Sequence, residues 1–181
     1  SDRMWAQGGS LWCGAGQAGV ATWEFDLAGG RWIRKDNAPQ AHLGSTSAYD
    51  PRTGNVFMRA YSRFSEYNPA NGTWRVLSSE PVYGVDGDAN GAAIDAKNNL
   101  YVEVGDASIA PSSYVGVRVW DLSNFSYSEP RTSGGGSVIN GEPGVVYDPV
   151  LEKVVAYAGG TSVYSLDTST WVWTEHPAAA G

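Results

Sequence analysis

The sequence predicts an all-β fold, a β-propeller of four-stranded antiparallel blades with four blades in this chain. Three observations carry the prediction. An aromatic, a turn-forming stretch and a second aromatic seven positions on recur along the chain; the first aromatics are separated by steps of 42, 53 and 44 residues; and no window has helical periodicity. Steps of about 40–50 residues match the length of a four-stranded blade.

The recurring copies are Phe25 to Trp32 in FDLAGGRW, Tyr67 to Trp74 in YNPANGTW, Trp120 to Tyr127 in WDLSNFSY and Tyr164 to Trp171 in YSLDTSTW. Each reads as a hairpin, because Asn, Asp, Gly and Pro between the aromatics reverse the chain. The expected blades are residues 1–36, 43–79, 90–130 and 143–177. In the first, SLWCGAG (10–16) and VATWEFD (20–26) are predicted strands before Trp32, while residues 1–6 lack the Asp-turn signature of the other first strands. The second runs STSAYD, PRTG, NVFMRAY, RFSEYN and GTWRVL. The third runs GAAID, AKN, NLYVEVGD, VGVRVWDL and FSYSE, and the fourth GVVYD, PVLE, KVVAYAGG, SVYSLD and the strand containing Trp171 and Trp173. Trp32, Trp74, Tyr127 and Trp171 hold equivalent positions in this scheme and are expected to pack between blades.

Composition bounds the function. The 181 residues suffice for a substantial core, and no apolar run reaches the roughly 18 residues of a membrane helix. Twelve basic against nineteen acidic residues give a net charge of −7, the wrong sign for coating phosphates, so nucleic acid is not an expected partner. Only three of the basic residues are lysines, while Gly, Trp, Tyr, Ser, Thr and Asn abound, a balance that suits an extracellular or periplasmic β protein. Cys13 is the single cysteine, which excludes an internal disulfide and reads as a buried small hydrophobe. The chain opens on Ser1 rather than Met and is expected to be a mature or trimmed piece.

Gly159-Gly160 after a second strand, Tyr164 in the third and Trp171 beyond it resemble a kelch repeat, and the other copies match with substitutions: Ala60-Tyr61, Gly105-Asp106 and Gly14-Ala15-Gly16 replace the double glycine. The resemblance implies propeller architecture and leaves activity open, because such folds host unrelated functions. Kelch-like rings commonly exceed four blades, so this chain is expected to be part of a larger ring, completed by further blades or by self-association. Some secreted kelch-type propellers are copper radical oxidases with two Tyr and two His ligands and a Tyr–Cys cross-link. His42, His176 and Cys13 are the residues such a site would draw on here, and spacing assigns no Tyr to it.

Loop lengths suggest where a ligand binds. The 1–2 and 3–4 turns are short and alike, whereas 33–44, 78–90, 106–114 and 129–142 differ from one another. Unlike loops on a rigid scaffold are the expected binding face. Its candidate ligand-binding residues are Asp36, His42, Tyr83, Tyr114 and Arg131. Asp86, Asp88 and Asn90 alternate in VDGDANG as oxygen ligands for calcium would, although Lys97 and Ile94 stand where calcium loops carry acids. No other cofactor is expected. Asn71-Gly-Thr and Asn124-Phe-Ser form glycosylation sequons in exposed 3–4 hairpins. The expected function is a non-catalytic extracellular module holding a glycan or a protein partner; the alternative is the propeller portion of a secreted carbohydrate-active enzyme or copper radical oxidase.

Overall fold

The computed structural model describes residues 3–7, 19–40, 45–60, 63–78, 90–105 and 116–178. They form an all-β architecture of four antiparallel sheets. The first contains β1 (Arg3–Gln7), β2 (Thr22–Asp26) and β3 (Arg31–Arg34). The second contains β4 (Thr46–Tyr49), β5 (Val56–Ala60), β6 (Arg63–Asn68) and β7 (Thr73–Ser78). The third contains β8 (Asn90–Asp95), β9 (Leu100–Gly105), β10 (Val117–Asp121) and β11 (Tyr127–Ser128). One helical turn, α1 (Gly136–Ile139), precedes the fourth sheet of β12 (Gly144–Asp148), β13 (Lys153–Tyr157), β14 (Ser162–Asp167) and β15 (Val172–Pro177). In every sheet, strands consecutive in the chain are neighbours.

The hairpin turns share one device. An Asp or Asn at the first turn position (26, 50, 68, 95, 121, 148 and 167) accepts backbone N–H bonds of 2.7–3.1 Å from residues two or three further on. Four positions after it, Gly30, Gly54, Gly72, Asn99, Phe125, Glu152 and Trp171 all have φ between 53° and 76°. The side chain of the first residue satisfies amides that the reversal leaves unpaired, and the left-handed corner returns the chain along itself. Glycine is the favoured residue at such a corner. Where the corner is not glycine, its side chain is used elsewhere: Phe125 lies beneath the Arg75 guanidinium, and Glu152 pairs with Lys97.

This common frame moves two sequence expectations. Phe25 pairs with Trp32, Tyr67 with Trp74 and Trp120 with Tyr127 across their hairpins, as the repeat predicts. In the fourth sheet the equivalent pair is Leu166 with Trp173, so the expected Tyr164–Trp171 pair is two residues out of register. Tyr164 faces Glu175, and Trp171 is the turn corner. The slip arises because an aromatic at the corner copies the spacing that the others achieve with a strand residue. In the first sheet, β1, from the residues expected to form a weak first strand, pairs directly with β2; residues 10–16, also a predicted strand, lie outside the described residues.

β8 lies between β4 and β12, so the first strands of the second, third and fourth sheets run side by side. Small residues permit this approach: a Cβ on Gly91 of β8 would sit 2.4 Å from the Pro143 carbonyl oxygen and 2.6 Å from Val145 Cγ2. In the second, third and fourth sheets, the face bearing the cross-hairpin pair covers the sheet before it. Trp74 reaches the first sheet, where its Nε1 donates to Thr22 Oγ1 at 2.8 Å. Trp120 stacks on Phe64 of the second sheet with centroids 5.0 Å apart. Leu166 and Trp173 close over Val102, Val104, Val117 and Val119 of the third, joined by Val138 from α1. Turn-to-turn bonds tie the same sheets at one end: Arg52 donates to the Ala96 carbonyl and Asn99 Oδ1, and Asn98 donates to Thr168 Oγ1.

Candidate functional site

Where the three first strands converge, they line a cavity of about 440 Å³. Its wall is formed by Ala48 and Tyr49 from β4, Ala92 and Ala93 from β8, and Val146 and Tyr147 from β12, with Pro51, Ala96 and Pro149 of the adjoining turns at its mouth. Small residues on β8 leave the space, and the tyrosines flank it. Tyr49 is exposed and Tyr147 half-buried. Burial raises the Tyr147 phenol above its ordinary range, and the Asp95 carboxylate, to which its hydroxyl is hydrogen-bonded, reinforces the shift. A mostly apolar groove edged by two phenol rings suits stacking on a flat apolar surface.

Behind the groove, between the second and third sheets, lies a buried ionic cluster. Glu103 Oε1 accepts from Arg59 Nη2 at 2.6 Å and from Arg118 Nη1 at 2.9 Å. Its Oε2 accepts from Arg59 Nε at 2.8 Å and from Thr46 Oγ1 at 2.7 Å, and the Tyr101 hydroxyl donates to the same Thr46 oxygen at 2.8 Å. Burial alone would raise the Glu103 carboxyl, but Arg59 first and then Arg118 hold it below the ordinary carboxylate range. Burial also pushes the Tyr101 phenol well up, with the Glu103 charge adding to it. Every one of these groups is engaged inside the protein, so the cluster joins the two sheets and presents no open chemistry.

The loop residues singled out in the sequence are dispersed. Asp36 is exposed, and its backbone N–H donates to the Gly72 carbonyl at 3.4 Å, beside a uniform turn of the second sheet. Arg131 is exposed two residues before Ser133, whose N–H donates to the Trp171 carbonyl and whose carbonyl accepts from Trp173. The 129–142 connection therefore starts along the outer edge of the fourth sheet at its turn end, not on the opposite face. Asn90 opens β8 with both amide atoms buried and unpartnered among the described residues. His42, Tyr83, Asp86, Asp88 and Tyr114, with Cys13, lie outside the described residues. His176 belongs to β15, not to a connection after it, and its Nε2 lies 2.8 Å from Ser165 Oγ. Among the described residues no group of three His, Cys, Asp or Glu is placed to hold a metal ion.

Of the expected inter-blade aromatics, Trp74 and Tyr127 pack as predicted, but Trp32 is 46% exposed. In the fourth sheet Trp173 holds the corresponding register position, and Trp171, at the turn corner, also packs against the cluster shared with the third sheet. The groove itself was not among the sequence-derived sites. Its one sequence signal is the run Gly91-Ala92-Ala93 in a strand where bulkier β-formers are the norm. No helix among the described residues is long and apolar enough to cross a membrane. No family model and no curated protein matches the chain.

Proposed function

We propose that the chain is a non-catalytic binding module of propeller-like, kelch-type blades, working outside the cell or in the periplasm and holding a glycan or a protein segment at the axis where β4, β8 and β12 meet. The observation that carries this reading is the groove of about 440 Å³ with Tyr49 and Tyr147 on opposite strands. Two further features support it. The repeated Asx turns and the lateral bonds between them make a stiff frame, which is what a preformed site needs. The first strands converge as blades do around a propeller axis, and Gly159 and Gly160, both with positive φ, follow β13 where a kelch repeat carries its double glycine.

The site differs from the loop face that sequence alone favours, and one experiment separates them. The chain is screened on a glycan array and by pull-down, and hits are retested with Tyr49→Ala/Tyr147→Ala and with Tyr83→Ala/Arg131→Ala. Loss of affinity by tenfold or more in the first pair, with the second pair near wild type, is the expected result. The reverse pattern would move the site to the loops. Stoichiometric copper with a radical absorption band would replace the binding reading with an oxidase.

A further inference from the structure

We propose that two copies of this chain associate head to tail, the first sheet of one copy seating its aromatic face on the outer face of the fourth sheet of the other. The inference rests on the radial order of sheets in the reading above and goes beyond its ligand site.

Three internal junctions set the rule. At each, the face bearing the hairpin aromatic pair covers the opposite face of the preceding sheet: Tyr67 and Trp74 toward the first sheet, Trp120 and Tyr127 toward the second, Leu166 and Trp173 toward the third. The pairing is directional, front on back. Among the described residues, no sheet covers the front of the first sheet or the back of the fourth.

Both surfaces are open and carry exposed apolar side chains, with the Arg34 guanidinium over Trp23 on the front and the Ser165–His176 pair on the back. On the front, Trp32 (46% exposed), Trp23 (39%) and Ala6 line an apolar hollow, with Met4 close by in the register of β1 and β2. The equivalent of the adjacent Phe25 in the third sheet is Trp120, which is buried. On the back, Tyr157 and Val163 hold the places, counted from the turn aspartates, of Val104 and Val117 in the third sheet. Those valines are fully buried by the fourth sheet, whereas Tyr157 is 49% and Val163 39% exposed, as is Val146 at 59%. Because both faces remain open, they do not cover each other within one chain. Contiguous apolar patches of this kind mark interaction surfaces.

A second copy is the occupant that the geometry specifies, since each copy exposes the front that the other's back lacks and the back that the other's front lacks. The contact is heterologous, and it closes into a ring when two copies satisfy both faces at once. It continues the junction that already repeats within the chain.

The test is sedimentation equilibrium of the full 181-residue chain and of two variants, Trp23→Glu/Trp32→Glu on the front and Tyr157→Glu/Val163→Glu on the back, none of which lines the groove. The wild type is expected at twice the monomer mass or more. Each variant alone should be monomeric, and an equimolar mixture should form a one-to-one dimer, because the mixture restores one intact front and one intact back. A monomeric wild type at its highest soluble concentration, a back variant that still dimerises alone, or a mixture that fails to complement would each overturn the proposal. Should a variant lose its far-UV circular dichroism, hydrogen exchange of the wild type decides instead. Protection rising with concentration in both β3 and β12 supports the contact, and protection unchanged in either contradicts it. Ligand binding lost through Tyr49 and Tyr147 with assembly intact, or the converse, tells failure of the site from failure of the interface.

Discussion

Glu103 is the residue on which the junction of the second and third sheets depends most. Its two oxygens take four hydrogen bonds from Arg59, Arg118 and Thr46, all buried. Glu103→Gln keeps the shape but leaves two buried guanidiniums facing a neutral amide; removing one partner of such a pair costs about 3–5 kcal/mol. The carboxyl's folded pKa is lowered from an ordinary value of 4.5, so its contribution is complete above that value and is lost as pH falls through the folded pKa. Asp50, lowered in the same direction although burial alone would raise it, through its bonds to Arg52 and Thr53, adds to the acid limb. Tyr101 and Tyr127 have the opposite sense. Their phenols are raised from 10.0, chiefly by burial, so their neutral forms stabilise the fold below that value and the contribution fades as pH rises. Urea unfolding across pH should give a plateau bounded by these two limits. In Glu103→Gln the plateau should be lower and the acid limb shallower.

At the scale of elements, the turn device decides the register of the seven hairpins that carry it. Leu166 is fully buried opposite Trp173, while Tyr164, two residues earlier, is only half-buried. Leu166→Ala should therefore cost about 2–5 kcal/mol, the range for a buried leucine, and Tyr164→Ala distinctly less; thermal unfolding of the two variants measures the difference. The spacing rule of the sequence ranks them the other way. Most strands were legible because alternating apolar residues between Asp and Gly turns have few other readings, as in NVFMRAY and KVVAYAGG. The fourth hairpin was misread because aromatic spacing is an indirect sign of the turn, and the Asp at the first position with the left-handed corner four residues on is the direct one. The pairing of β1 was misread for a different reason: the sequence between it and β2 has no Asp or Asn, so nothing local sets which upstream segment pairs. The groove was illegible because it depends on β4, β8 and β12 meeting from three separate sheets, and only Gly91-Ala92-Ala93 hints at crowding there.

Across the whole molecule, one order of packing links the groove, the buried cluster and the open end faces. Front-on-back stacking brings the first strands together, and that convergence leaves the space between Tyr49 and Tyr147. It also leaves Trp32 and Val146 uncovered at the two ends. The convergence is most directly tested by the thermal stability of Gly91→Val set beside that of Gly144→Val. A Cβ at Gly91 would meet the Pro143 carbonyl at 2.4 Å, whereas at Gly144 the nearest atom, the Tyr157 carbonyl oxygen, is 4.0 Å away. Overpacking of this kind costs about 1–3 kcal/mol or more, and valine is otherwise welcome in a strand. If β8 and β12 run side by side, Gly91→Val melts well below the wild type and Gly144→Val close to it. Equal tolerance of both substitutions would contradict the convergence, and with it the groove.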